Sequence, residues 1–554
     1  MTDFDILKQF FSLQNPLGDI AAIENADGEG RIVFQSYFDL NNQPYQSLKR
    51  EPSMIVGRKG SGKTDALLSY RYGSQRHTSR YDPVIYFKAN EAASIISTLI
   101  NQVTDVVVDN YPPPTVESIS EFWNNLFWIA VLRGILASEK GRSSEQYLLI
   151  QRFLSALIDA EEIPKNPYHL VISAIVGFKK NYATSDFRSA SIGFFSAQER
   201  LTFSGLTIGD AKIAAQAWLR KNGHRAIVLF DSIEALDISE IHNKMVISGL
   251  LKAVGAFQSA SSTAQFRCCV PAESYFSLIE MSSNVLKDFR NNQILHWHSS
   301  ELLRICAKRY SAFLRIHSPE SMKEFVEPFA DFETRDSVLS FWRKVLPDQV
   351  PNTKERKEAT LPYITRHTQL LPRHFLLIFN HIISSSIQKS KSAAPSLIDE
   401  ATIIEGISRT ESLIVDQVLD SYRRIWPDAD AILKGVLPDL NKNIVGLNEL
   451  HKVFNRSGAK KNIFRGVDNF DDFIRMSSEL GVIGRLIERT ENYATTAFEY
   501  GEPHRLLFTD IDTVCIHPIF TERYRVIVPE QKAEDYLPVY PLGTDPASAD
   551  YRDR

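Results

Sequence analysis

Apolar residues along this chain come in two rhythms. One is the short unbroken run bounded by polar or turn residues: Met54-Ile55-Val56, Pro83-Val84-Ile85-Tyr86-Phe87, Ala226-Ile227-Val228-Leu229-Phe230, Phe266–Val270 and Gln293–Trp297. Runs of this length without alternation suit strands buried on both faces, as in a parallel sheet. The other is the spacing of a helix with one buried face, over residues 64–72, 91–104 and 243–258. It is strongest over Ser118–Leu136, where Phe122, Trp123, Leu126, Phe127 and Ile129 mark a core-packing stripe. Strand and helix alternate, which predicts an α/β fold with a parallel sheet and helices on both faces. Val106-Val107-Val108 is a further short run, and three prolines at 112–114 break the chain.

The strand signal fades over 300–390, which reads as helical. Residues 404–528 form another block. Within it, Leu447–Phe454 and Asp471–Leu480 read as helices, Gly481–Ile487 as a strand, and Tyr493–Tyr500 as its hairpin partner. The last stretch carries Pro, Asp, Tyr and Gly without periodicity and reads as a disordered tail. The expected domains are therefore a core at 1–298 with a largely helical insertion at about 115–220, a helical domain at 299–403, a mixed domain at 404–528 and a tail at 529–554.

Composition narrows the class. The 554 residues are 44% hydrophobic and 23% charged, the balance of a soluble globular protein with room for a sizeable core. With 63 basic against 67 acidic residues the formal net charge is -4, which excludes a surface basic throughout but leaves room for a local patch. Cys268, Cys269, Cys306 and Cys515 form no C-x-x-C pair, so neither a zinc site nor a disulfide framework is suggested; the adjacent pair reads as buried thiols in a strand. The first residues have no basic or apolar region of a signal peptide, and no run approaches a membrane span. A reducing, cytoplasmic setting is the expectation.

The chemistry is concentrated at Gly57-Arg58-Lys59-Gly60-Ser61-Gly62-Lys63-Thr64, which fits the phosphate-binding loop G-x-x-x-x-G-K-[ST] at every defined position. An apolar strand precedes it and the helix-compatible run Asp65-Ala66-Leu67-Leu68-Ser69-Tyr70 follows. Glycines let the backbone curl around phosphate, and main-chain N–H groups at a helix start face the anion. Lys63 is the candidate for the β- and γ-phosphates and Thr64 for Mg²⁺. Arg58 and Lys59 are candidates to add positive charge to the phosphate site; simple solvation is the plainer alternative. Such a loop works with a carboxylate from a neighbouring strand, and Asp231, directly ending the run Ala226–Phe230, is the best candidate; a turn residue or helix cap is the plainer alternative. Glu234 is placed either to orient water or to sit as a solvated first-turn acid.

The two motifs, Gly57–Thr64 and Phe230-Asp231-Ser232-Ile233-Glu234-Ala235-Leu236, together resemble a group of bacterial P-loop ATPases related to AAA+ and STAND proteins, many of which sit beside phage-defence genes. Origin-recognition-type ATPases share the same plan. The resemblance covers most of 35–528. It implies an ATPase core, a helical lid at 299–403 and a winged helix at 404–528, with ATP and Mg²⁺ as cofactors; no guanine-reading N-K-x-D motif is seen. It also makes Phe266–Val270 the sensor-one strand, Arg290 in Val285–Arg290 a finger acting on a neighbouring subunit, and Arg373 in Leu371-Pro372-Arg373-His374-Phe375-Leu376 a sensor-two contact to the γ-phosphate. Ile516-His517-Pro518-Ile519-Phe520 resembles the closing segment of the winged helix. Two departures, Ser232 where these ATPases carry an acid and Pro271-Ala272-Glu273 after the sensor-one strand, point to slow turnover.

Three functions follow as expectations. The first is a homo-oligomeric ATP-hydrolysing switch, converting ATP and water slowly to ADP and phosphate, with a protein partner or effector and a place in antiphage defence. The second is a nucleotide-gated scaffold without turnover. The third is an ATP-controlled DNA-binding protein like origin initiators, contacting DNA through the basic loop Arg456, Lys460, Lys461 and Arg465. The helix from about Phe470 sets Asp471, Asp472 and Glu479 against Arg475, so a protein-contact module is favoured there over a DNA reader. No membrane contact is expected.

Overall fold

The computed structural model describes residues 2–19, 29–39, 42–46, 48, 52–72, 81–87, 115–138, 142–158, 169, 202–231, 241–260, 263–273, 275, 292–321, 325–327, 332–352, 356–393, 397–440, 442–457, 466–501, 506–526, 537–548 and 550–551. By internal packing the chain divides into two compact units: 44–57 with 63–295, and 1–43 with 58–62 and 296–554.

Helix α1 (Asp3–Phe10) opens on a capping box, with Asp5 N donating to the Thr2 hydroxyl and Thr2 N to the Asp5 carboxylate. It is followed by α2 (Glu29–Tyr37). This N-terminal stretch belongs with the C-terminal half rather than with the α/β core where the sequence reading put it. Asn380 accepts from Leu17 N at 2.7 Å and donates to the Gly18 carbonyl at 3.0 Å. Asp39 pairs with Arg304 at 3.2 Å and with Lys308. These partners lie hundreds of residues apart, and no local pattern announces them.

The α/β unit runs β1 (Met54–Gly57), α3 (Lys63–Tyr72), β2 (Tyr81–Phe87), α4 (Val116–Ala137), α5 (Glu145–Ile158), α6 (Ile208–Lys221), β3 (Arg225–Phe230), α7 (Ile241–Ala260), β4 (Ala264–Pro271) and β5 (Asn292–Ile294). Its strands form one five-stranded parallel sheet in the order β2-β3-β4-β1-β5. The β1 strand is buried along its length and β3 from its second residue, as their unbroken apolar runs require. Helix α4 supplies the core under β3. Phe127 meets Phe266 at 4.6 Å and Phe230 at 6.3 Å between ring centroids, and Trp123 meets Phe230 edge-on at 5.7 Å. The expected helix at 91–104 and the run 106–108 lie outside the described residues.

In the other unit α8 (Ser299–His317), α9 (Arg335–Val345), α10 (Pro372–Ser390), α11 (Glu400–Tyr422) and α12 (Ala429–Val436) precede β6 (Ile444–Gly446), α13 (Leu447–Arg456), α14 (Phe470–Glu479), β7 (Ile483–Arg489), β8 (Ala494–Ala497), β9 (Thr513–Ile516) and β10 (Val539–Pro541). The last strands form a second sheet, β6-β9-β7-β8-β10, antiparallel except where β10 joins β8. A small hairpin, Gln349–Pro351 with Lys357–Ala359, interrupts a stretch expected to be wholly helical. It presents the buried Glu358 to Asn352 at 2.7 Å, Arg366 at 3.2 Å and the Tyr540 hydroxyl at 2.6 Å. That last contact, with β10 itself, corrects the expectation of a disordered tail for its described part. The reason is tertiary: a three-residue strand becomes stable only on a partner edge. Farther on, Asp550 accepts from Ser299 Oγ at 2.5 Å and Ser300 N at 3.2 Å, capping the start of α8.

Candidate nucleotide-binding site

Within the α/β unit, β1 ends at Gly57 and α3 starts at Lys63. The Lys63 side chain is buried, 5% exposed, and its Nζ donates to the Gly57 carbonyl at 2.8 Å. The next residue, Thr64, donates its hydroxyl to Asp231 Oδ2 at 2.9 Å across 167 residues of sequence. Sheet register makes this meeting: β3 ends at Phe230, and Asp231 N donates to the Phe87 carbonyl at 3.0 Å, fixing the carboxylate at the strand end. Asp231 is wholly buried. Its Oδ2 also accepts from the Tyr86 hydroxyl at 3.1 Å, because β2 pairs with β3 so that Phe87 faces Phe230. Arg71 of α3 lies 5.6 Å over the Tyr86 ring and helps hold it.

The loop 58–62 belongs to the other unit. Gly60 and Gly62 have φ of +89° and +86°, in the left-handed region that favours glycine. Ser61 N donates to the Arg58 carbonyl at 3.0 Å, closing the turn, and Trp297 Nε1 donates to the Ser61 carbonyl at 2.8 Å. At the start of α10, Arg373 N donates to the Gly60 carbonyl at 3.3 Å. A Cβ added at Gly60 would lie 3.0 Å from Arg373 Cβ, so loop and helix touch at a residue without a side chain. Lys59 is exposed. Arg58 is not: it is partly buried, with its guanidinium 5.6 Å over the Tyr422 ring and 5.4 Å over the Tyr500 ring. Beside it, burial and then the charges of Arg58 and Arg373 pull His374 down to about 3, so this imidazole stays neutral.

Of the residues singled out from sequence, Lys63, Thr64 and Asp231 converge with Gly57 in the α/β unit, while Arg58, Gly60, Ser61, Gly62 and Arg373 are packed together in the other. Arg456 is exposed at the end of α13. Glu234, Arg290, Lys460, Lys461 and Arg465 lie outside the described residues. Sequence reasoning missed Tyr86, Trp297, Tyr422 and Tyr500. None of the four carries a local signal; Tyr86 meets Asp231 only through the pairing of β2 with β3. All four cysteines are buried, and desolvation pushes Cys268 and Cys515 up to about 12, so these two remain thiols.

The residues fit a nucleotide phosphate with magnesium. Ser61 is wholly buried, and its Oγ has no hydrogen-bond partner among the described residues, the condition of a hydroxyl suited to a phosphate oxygen. Among the described residues no cluster of three His, Cys, Asp or Glu side chains forms a metal cage. Thr64 and Asp231 instead offer the sparse oxygen set of a cation that shares its shell with phosphate and water.

No protein-family model matches the chain, and no curated protein is significantly similar to it. Among solved structures, it is similar to a Walker-type ATPase of Pyrococcus abyssi at 10% identity and a TM-score of 0.36, covering 88% of this chain and 96% of that one. The Aeropyrum pernix ORC2 protein in its ADPNP–ADP complexes gives 11% identity, a TM-score of 0.36 and coverage of 87% and 90%. Its ADP form gives 11%, 0.28, and 88% and 91%. Among the described residues no helix is long and apolar enough to cross a membrane.

Proposed function

We propose that this chain binds ATP with magnesium through Gly57–Thr64 and hydrolyses it slowly, as a nucleotide-controlled switch. The observation that carries the reading is the contact of Thr64 with Asp231. A hydroxyl directly after the loop lysine and a buried carboxylate at the end of a parallel strand meet at 2.9 Å. In this reading Lys63 supplies the ammonium for the β- and γ-phosphates, and main-chain N–H groups of the loop line the anion. Thr64 and Asp231 would hold magnesium, which supplies charge neutralisation on the phosphates when bound. Tyr86 fixes the inner oxygen of Asp231 by donating to it. Glu234 is assigned to orient the attacking water, Arg373 to the γ-phosphate, and Arg290 to a neighbouring copy in an oligomer.

We read the block 404–528 as a winged helix with an added hairpin strand, on the order helix, strand, helix, helix, strand, strand, strand over 429–516. We assign this block to regulation or protein contact rather than to DNA reading. The one cation of α14 is already engaged: Arg475 donates to Glu479 at 3.0 Å and lies 5.6 Å from the Trp426 ring centroid. Helix α14 therefore offers few free charges for phosphate contacts.

The test is steady-state ATP turnover by wild type, Lys63→Ala and Glu234→Gln over a range of protein concentrations, with and without duplex DNA. Loss of turnover in both variants supports the hydrolytic switch and the role of Glu234. A rate per subunit that rises with concentration and is lost in Arg290→Ala supports the shared site. Tight ATP binding without turnover converts the reading to a nucleotide-gated scaffold, and stimulation by DNA that fades with salt restores the DNA-controlled one.

A further inference from the structure

The loop that should hold phosphate is gripped by aromatic residues far away in sequence. Arg58, the second residue of the motif, has its guanidinium 5.6 Å over Tyr422, the last residue of α11, and 5.4 Å over Tyr500, in the turn Glu499–Gly501 after β8. Tyr500 is itself fixed on several sides. Its ring stacks on Phe498 at 5.5 Å with an interplanar angle of 6°. Its hydroxyl lies 2.8 Å from His517 Nε2. Beneath it, Gly481 has a φ of +69°, and a Cβ there would lie 2.7 Å from Tyr500 Cδ1, so the ring occupies the space a side chain would fill. His517 is buried, and desolvation holds it well below the ordinary histidine range, so the cluster around the guanidinium is free of a competing imidazolium.

We propose that Tyr422 and Tyr500 are positioning residues for the phosphate-binding loop: through Arg58 they hold its first turn, and nucleotide affinity is set from the end of α11 and the turn after β8. The inference rests on the nucleotide-binding reading above. The physical link is short. Ser61 N closes its turn on the Arg58 carbonyl at 3.0 Å, so the backbone that Arg58 anchors also presents Gly60, Ser61 and Gly62. A planar guanidinium between two ring faces resists displacement in a way that a lysine ammonium does not. The coupling is reciprocal, so a bound nucleotide must in turn favour the arrangement of Tyr422 and Tyr500 seen here. The motif thereby becomes a reporter to the C-terminal block, using a position at which its consensus accepts any residue.

The experiment is a binding titration of Mg-ATP and of ADP by calorimetry on the full chain, with a thermal melt of each variant. Tyr500→Leu is expected to weaken binding about tenfold, the effect of losing one stacked cation contact of about 1.4 kcal/mol. Tyr500→Phe keeps the ring and is expected to recover most of that loss. In an Arg58→Ala background Tyr500→Leu should cost nothing further, because the path through Arg58 is already cut. Arg58→Lys tests the same link should Tyr500→Leu fail to fold, and is expected to weaken binding by a similar factor. Unchanged affinity in folded Tyr500→Leu, unchanged affinity in Arg58→Lys, or an equal further loss in the Arg58→Ala background would overturn the proposal. Failure of wild type to bind any nucleotide would instead overturn the reading beneath it, and this one with it.

Discussion

At the scale of single residues, Asp231 carries the largest load. Oδ2 takes hydroxyl donors from Thr64 and Tyr86, so the carboxylate is oriented before any cation arrives. Asp231→Asn should remove the magnesium dependence of nucleotide binding. Tyr86→Phe should leave the fold intact and raise the magnesium concentration needed for half-maximal ATP binding by about tenfold, as loss of an outer hydrogen bond to a ligand typically does. Both are read by titrating magnesium at fixed ATP. Histidines set a different dependence. His374 is pulled down to about 3 and His517 well below its ordinary value, chiefly by burial, so neither takes a proton in the folded chain near pH 6. The unfolded chain protonates both below about 6.5, binding more protons than the native state, so stability falls as pH drops from there. A stability-against-pH curve should slope by up to about 1.4 kcal/mol per pH unit per histidine, and a flat curve between pH 6 and 4.5 would count against it.

Elements explain why some of this was legible in sequence and some was not. The loop and its two flanks are contiguous, so β1, Gly57–Thr64 and α3 could be read directly. Asp231 stands far from Thr64 in sequence but follows a run buried on both faces, and such a run ends in a predictable place. Tyr86 needed the strand order: nothing near it says that β2 lies beside β3. The packing of Arg58 was not legible because its partners, Tyr422 and Tyr500, come from elements with no sequence link to the loop. The tail failed for the same reason, since β10 exists only against β8, and Tyr540 reaches a Glu358 buried with Arg366. Removing residues 537–554 should therefore destabilise the chain. Tyr540→Phe alone, which takes a hydrogen bond from a buried carboxylate, should cost about 1–3 kcal/mol in denaturant unfolding. At the loop, Gly60→Ala places a methyl 3.0 Å from Arg373 Cβ at a φ of +89°, and should weaken nucleotide binding more than it lowers the melting temperature.

For the whole molecule, internal packing gives two units, each made of segments that are not continuous in sequence. Residues 58–62 group with the C-terminal half, whereas Gly57, Lys63 and Thr64 group with the sheet. Leu17 and Gly18, at the N-terminal end of the expected core of 1–298, are held by Asn380.

The most direct test of the central claim is calorimetric titration of ATP into the full chain with and without magnesium, for wild type beside Lys63→Ala and Asp231→Asn. Magnesium-strengthened binding by wild type, loss of binding in Lys63→Ala, and binding indifferent to magnesium in Asp231→Asn are expected. Equal binding by all three proteins, or none by wild type, would contradict it.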